Sequence, residues 1–315
     1  MDVFLAARAA AKPSPHTRAA YRRDLTGILA IIAHQAGGEF DEVTVEDLTP
    51  RVLREAFAAF AGTHAKASIG RAWSTWNQFF AFLVADGYRD GNPMAAVPKA
   101  HPRSTGPKPL TGTDTVQRLL TSAALPRPDA RNPWPERDLA VLATLLLTGL
   151  RSAELLCLKV SSITGGPGER RIRVVGKGSK ARTVPIEDAL QQVIDAYQAS
   201  RREQFPAKRI GARSALFVDH HGKPLQRSGL QYLVATGLRA AGVADHRSPY
   251  ALVHALRHTF ATTLAQHGTS ARELMTLLGH ASMATSQNYI DATAVEQRAA
   301  AAANPMYQAL NRPAR

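Results

Sequence analysis

Residues 98–109 constrain this chain most. They run Pro98-Lys99-Ala100-His101-Pro102-Arg103-Ser104-Thr105-Gly106-Pro107-Lys108-Pro109 and show no apolar period. A stretch with no apolar face has nothing to bury, and its prolines hold it extended and semi-stiff. One continuous core across it is therefore excluded, and 315 residues suffice for a domain on each side. As a basic linker it has two readings, a strap around a duplex or a plain spacer.

Residues 1–97 read as a small helical bundle. Tyr21, Leu25, Ile28, Leu29 and Ile32 recur at helical spacing and predict a helix over 14–36, ended by Gly37-Gly38. Arg18, Arg22 and Arg23 fall mostly off that stripe. Thr49-Pro50 is a cap followed by proline at the first helical position, and Leu53, Phe57 and Phe60 form the next buried face. Ile69, Trp73, Trp76, Phe80 and Leu83 mark a third helix over 66–85, and their single-face spacing makes them core.

Beyond the linker the period changes more than once. Thr111-Gly112-Thr113-Asp114 opens a helix through Leu120, and 136–147 is nearly all apolar, as in a helix buried on most sides. Thr148-Gly149-Leu150-Arg151 breaks it, and a helix starts near Ser152 with Glu154 in its first turn. Residues 171–175 and 181–186 alternate like a β-hairpin with Lys177 at its tip, and 216–218 suggests another short strand. Helices are expected over 225–241 and 254–268. Leu256, Phe260 and Leu264 line the second, while His254, Arg257 and His258 lie largely off that line. Ser270-Ala271-Arg272-Glu273 is a capping box, Gly279 closes that helix before His280, and Ser282 caps a last helix carrying Tyr289. The fold class is mainly α with a small β-sheet in the second domain (α+β).

Net charge is +14, unevenly spread: residues 1–100 hold 11 Lys and Arg against 10 Asp and Glu, the remainder 28 against 15. Such an excess points to nucleic acid, whose phosphates screen it, with solubilising charge as the plain alternative. No apolar run is long enough to span a bilayer and no signal peptide is evident at the N-terminus, so a cytoplasmic protein is expected, with no membrane partner. The single cysteine, Cys157, is expected to pack in the core.

A phosphodiester attacked by an oxygen nucleophile gains negative charge, and its leaving oxygen needs a proton. Guanidinium forks suit the first need, and Arg151 and Arg257 are candidates. Lys177 suits the second. His254 is the candidate to accept or relay the nucleophile's proton, His280 to bond a non-bridging oxygen, and Tyr289 to form the covalent intermediate. His258 reads as the structural histidine of its helix. No acidic, His or Cys set has metal-binding spacing, so neither metal nor other cofactor is expected.

Taken in order, these residues resemble the tyrosine recombinases, also called phage integrases, which include the Xer recombinases. Thr148-Gly-Leu-Arg-Ser-Ala-Glu-Leu-Leu resembles the family's first-arginine motif, and Val175-Gly-Lys-Gly-Ser-Lys-Ala-Arg-Thr-Val-Pro its lysine hairpin. His254-Ala-Leu-Arg-His-Thr-Phe-Ala-Thr resembles its His-x-x-Arg box, Leu277-Leu-Gly-His-Ala-Ser its second-histidine box, and Tyr289 follows at the family's spacing. Thr17-Arg-Ala-Ala-Tyr-Arg-Arg-Asp-Leu and Asn92-Pro93 resemble, more weakly, its SAM-like core-binding domain.

The resemblance implies a core-binding domain over 1–97, the linker over 98–109, and a catalytic domain over 110–292. It further implies a tail over 293–315 that docks on a neighbouring protomer or simply frays. It implies Arg151, His254, Arg257 and His280 around the scissile phosphate, Lys177 as general acid and Tyr289 as nucleophile. Arg18, Arg22, Arg23, Lys66, Arg71, Lys99, Arg103, Lys180 and Arg182 are then expected to contact DNA. The partner is double-stranded DNA with a specific core site, cut through a 3′-phosphotyrosyl intermediate by four protomers that exchange strands through a four-way junction, without metal or ATP. An accessory protein or partner recombinase stays open, as does the choice between mobile-element integrase and Xer-type multimer resolver. The alternatives are a type IB topoisomerase-like nicking-closing enzyme and a non-catalytic DNA-binding protein of recombinase descent. Two departures stand out: Ala153 replaces a small hydroxyl residue, for which Ser152 is expected to cap instead, and Asp291 replaces a basic or aromatic one. No arm-binding module is expected ahead of the first domain.

Overall fold

A computed structural model of the chain describes residues 1–11, 15–100, 108–112, 114–127, 130–176, 181–243, 245–280 and 282–302. It falls into two compact units, Met1–Ser104 and Thr105–Arg315. The expected Lys177, Lys180 and Arg103 lie outside the described residues, as does the tail beyond Ala302.

The first unit contains helices α1 (Asp2–Ala11), α2 (Pro15–Ala36), α3 (Pro50–Thr63) and α4 (Lys66–Ala85). Leu25, Ile28, Ile32, Leu53, Phe57, Phe60, Ile69, Trp76, Phe80 and Leu83 meet in one core, as their spacing predicts. The Thr49 hydroxyl accepts the Val52 N–H at 3.3 Å, which holds the start of α3. Helix α1 is not evident from sequence. It buries Phe4 and Leu5, and Phe4 packs edge-on against Phe79, with ring centroids 5.4 Å apart. Asp24 is a buried carboxylate on α2, satisfied by Arg71 at 2.8 and 2.9 Å and by the Thr75 hydroxyl at 3.1 Å.

The second unit places α5 (Thr115–Ala123), α6 (Pro135–Thr148) and α7 (Ser152–Leu156) ahead of a small sheet. Strands β1 (Ile163–Thr164), β2 (Arg171–Val175) and β3 (Ala181–Pro185) pair antiparallel in the order β1-β2-β3, with Ile172 opposite Val184 and Val175 opposite Ala181. Ile172, Val174 and Val184 face the core while Arg171 and Arg173 face outward, the period-2 pattern of a half-buried hairpin. Helices α8 (Asp188–Gln204), α9 (Arg227–Ala240), α10 (Pro249–Gln266), α11 (Ala271–Leu278) and α12 (Met283–Ala302) follow. Helix α6 is the central element, with Val141, Leu142 and Leu145 fully enclosed.

Three sequence readings differ from the structure. Residues 216–218 form no strand ladder and are flanked by isolated bridges, Lys159 to Ala215 and Val218 to Pro224. Their backbone is satisfied by a mixture of partners: the Leu216 N–H donates to the Leu158 carbonyl and the Phe217 carbonyl accepts from the Leu225 N–H, while Arg201 donates to the Ala215 and Leu216 carbonyls and the Tyr197 hydroxyl accepts the Val218 N–H. Cys157 is exposed rather than packed in the core, because α7 ends at Leu156 and turns it outward. Helix α10 begins at Pro249, capped by Ser248, one turn before the expected start. No helix among the described residues is long and apolar enough to cross a membrane.

Candidate active site

The site is assembled at the carbonyl end of α11. A Ser270–Glu273 capping box starts this helix, and Gly279, at φ 62°, ends it in the left-handed conformation. A helix of this kind leaves its last carbonyls without intrahelical partners, and its dipole makes that end negative. Three guanidinium groups occupy it. Arg182 on β3 donates from Nε to the Leu277 carbonyl at 2.9 Å. Arg257 on α10 donates to the Leu278 carbonyl at 2.7 Å and to the Gly149 carbonyl at 2.5 Å. Arg151, just ahead of α7, donates to the Leu278 and Gly279 carbonyls at 3.3 and 3.0 Å.

One buried carboxylate holds two of these cations. Glu154 accepts from Arg182 through both oxygens, at 2.8 and 2.9 Å, and from the Arg151 side chain at 2.9 Å. It also accepts the Arg151 backbone N–H at 2.8 Å, so Glu154, not Ser152, caps α7. Burial pushes its carboxyl up, but the Arg182 and Arg151 hydrogen bonds and charges outweigh this and bring it to about 2. The glycines on either side of the cluster are structural necessities. Gly149 ends α6 at φ 60°, where a Cβ would run into the Phe260 ring and Leu278. At Gly279 a Cβ would sit 2.8 Å from the Arg182 guanidinium.

The guanidiniums outnumber the carboxylate, and the surplus acts on every neighbour. Burial, then the charge of Arg151, lowers Arg257 to about 10. Burial, followed by Arg257 and Arg151, lowers His280 to about 4 and also lowers His254. A cluster of guanidinium groups with surplus positive charge is suited to an anion with forked oxygens, such as a phosphodiester.

Tyr289 on α12 is 4% exposed and packs with Ala261, Ala265, Leu274 and Leu278. Its hydroxyl lies 2.8 Å from Nδ1 of His258, and its ring stacks parallel to His280 at 6.1 Å. Burial raises the Tyr289 phenol above its ordinary value, against the opposing charges of Arg257 and Arg151. His280 Nδ1 bonds the buried Ser286 hydroxyl at 2.8 Å, which fixes its ring. His254 sits one turn from His258 and bonds the hydroxyl of exposed Tyr250 at 2.9 Å through Nε2.

Arg151, Arg257, His280 and Tyr289 therefore lie together as the sequence predicts, and His254 lies beside them, its ring bonded to Tyr250. Two contributors were not foreseen. His258, read as structural, is the histidine at the Tyr289 hydroxyl, and Glu154, read only as complementing a helix dipole, organises the arginines. The adjacency of His258 to Arg257 was a visible signal for the first. Arg182 was expected on DNA, but its side chain is 11% exposed and committed to Glu154. Arg71 is likewise held by Asp24, although its side chain keeps 46% exposure. Arg18, Arg23, Lys66 and Lys99 are exposed, and Arg22, also exposed, pairs with Asp2 at 2.6 Å. Among the described residues no group of His, Cys, Asp or Glu is placed to hold a metal ion.

The phage integrase family model matches residues 111–296, and the phage integrase N-terminal SAM-like domain matches 3–87. The tyrosine recombinase XerC of Pelobacter propionicus is 34% identical over 278 residues, covering 88% of this chain and 84% of that protein. In fold, the chain is similar to the XerH site-specific recombinase bound to palindromic difH substrate in a post-cleavage complex. The TM-score is 0.70 at 21% identity, covering 86% of this chain and 75% of that one. A lambda integrase tetramer bound to a Holliday junction is also similar, with a TM-score of 0.65 at 19% identity, covering 91% of this chain and 75% of the other.

Proposed function

Because the chain belongs to the phage integrase family and is a tyrosine site-specific recombinase, we propose that Tyr289 cuts DNA within the arginine cluster described above. The Tyr289 oxygen attacks the scissile phosphorus, leaving a 3′-phosphotyrosyl bond and a free 5′-hydroxyl. Arg151 and Arg257 grip the non-bridging oxygens, and His280 adds a further donor. Lys177 supplies the proton to the 5′-oxygen. Attack by a 5′-hydroxyl of another strand reverses the step and rejoins DNA, so the bond energy is conserved and neither ATP nor metal is consumed. What supports this most is the convergence of Arg151 and Arg257 on one helix end, in the cluster that also contains the Tyr289 hydroxyl.

The partner is a DNA duplex with a core site. Residues 1–97 form a core-binding domain and residues 110–292 the catalytic domain, joined by the basic linker. Four protomers exchange strands through a four-way junction, a reading supported by the tetrameric state of a protein of similar fold. Two biological roles use this chemistry, integration of a mobile element and resolution of joined replicons, and the genes beside this one distinguish them.

The test is a nicked suicide duplex whose sequence is selected by binding from a random pool. Cleavage beside the nick releases a short 5′-hydroxyl fragment and traps the covalent adduct. Wild type should yield a protein–DNA adduct that Tyr289→Phe cannot form at equal binding. A bound duplex that never yields adduct with wild type would overturn the proposal.

A further inference from the structure

The histidine expected to serve Tyr289 is not the one beside its hydroxyl. His254 and His258 share one face of α10 a single turn apart, and the turn that faces α12 carries His258. Nδ1 of His258 lies 2.8 Å from the Tyr289 oxygen, within reach for direct proton transfer. The other two histidines of the site bond other groups, His254 through Nε2 the Tyr250 hydroxyl and His280 through Nδ1 the Ser286 hydroxyl.

We propose that His258 is a catalytic residue of this recombinase, accepting the Tyr289 proton at Nδ1 as the tyrosyl oxygen attacks phosphorus. The proposal rests on the strand-cleavage reading above. In that step the Tyr289 O–P bond forms and the P–O5′ bond breaks. The phenolic proton passes to His258 while the 5′-oxygen leaves with a proton from the general acid. In rejoining, the protonated His258 returns its proton to the departing phenol oxygen.

Electrostatics accords with a base that works only on seated substrate. The charged and titratable groups around His258 are His254 and Arg257 on α10, Arg247 before it, His280 at the end of α11 and Tyr289 opposite on α12. Burial, then His254, Arg257 and Arg247, brings His258 to about 4, so at neutral pH its ring is uncharged and Nδ1 can hold a lone pair toward the phenol. A phosphate between Arg151 and Arg257 offsets the positive field that weakens this base. The phenol also becomes more acidic as its oxygen bonds to phosphorus. Proton transfer is thus coupled to attack, and Tyr289 stays protonated until a phosphate is present.

Single-turnover adduct formation on the suicide duplex, followed from pH 6 to 9, tests this. His258→Asn keeps an amide near the Nδ1 position but removes the base. It should bind the duplex like wild type and cleave about 100-fold more slowly at pH 7. Its rate should then climb about tenfold per pH unit, because hydroxide must take the proton that His258 took, while wild type stays flat. His258→Ala should regain rate with added imidazole, and His254→Asn should be slowed without acquiring the climb. A His258→Asn rate within about threefold of wild type overturns the proposal. So does a loss equal at every pH and unrescued by imidazole, or a faster rate, which would mean that His258 holds Tyr289 back. Wild type failing to form adduct on a duplex it binds overturns the cleavage reading and this one together. Normal adduct with an unaffected His258→Asn overturns this one alone.

Discussion

Glu154 carries more of the site's architecture than any one of its cations. Its two oxygens are shared among Arg182, the Arg151 side chain and the Arg151 backbone, so its removal leaves two buried or half-buried guanidiniums without a counter-charge. Breaking a buried pair from one side costs about 3–5 kcal/mol, and Glu154→Gln should lower the urea unfolding midpoint of the second unit accordingly. The pH dependence follows from the carboxyl's position at about 2 in the fold against 4.5 ordinarily. A depressed carboxyl stabilises the fold fully above pH 4.5 and loses that contribution as pH falls toward 2, so Glu154→Gln should flatten the unfolding profile in this window. The histidines act at milder acidity. His258 and His280 stand near 4 in the fold against 6.5 ordinarily, so the unfolded chain takes up their protons first as pH drops. Stability should decline from pH 6.5 to about 4, and His258→Asn should remove part of that slope in denaturation midpoints measured across the range.

At the scale of elements, the end of α11 matters more than its middle. Ser270 caps its start, and Ser270→Ala should cost about 1 kcal/mol by thermal unfolding while leaving DNA cleavage nearly intact. Gly279→Ala should be worse for function than for stability. Its φ of 62° disfavours any Cβ by about 1–2 kcal/mol. The added atom also meets the Arg182 guanidinium, displacing both it and the adjoining His280, so adduct formation should fall at least tenfold in the suicide assay. The helices read correctly from sequence are those with a cap, an apolar period and a stop, as in α3 and α11. Helix α1 was missed because its two buried residues, Phe4 and Leu5, are adjacent and set no period. The Ser248-Pro249 start of α10 carries the same signal as Thr49-Pro50, but its apolar line becomes clear only further along. Strand β1, two residues long, is too short for any alternation to register.

The molecule as a whole has separate cores on either side of the basic, proline-rich stretch. One is built around Trp76 and Phe80, the other around α6. Trp76 is fully buried in the first, so Trp76→Ala should cost about 3–5 kcal/mol there and leave the calorimetric transition of the second unit unshifted. The sequence by itself determined a great deal: two compact units, the hairpin of the second, the helix stops at Gly149 and Gly279, and which arginines and which tyrosine are candidates for one site. All of these are local, set by caps, periods and residue types within a few turns of chain. Only the tertiary structure decided which groups meet. Arg151 reaches carbonyls 127 and 128 residues away, Arg182 leaves the surface for a carboxylate 28 residues earlier, and His258 takes the Tyr289 hydroxyl from a position 31 residues before it. A period tells which face of α10 is polar. It does not tell which turn of that face α12 will lie against, because side-chain packing between helices sets that choice.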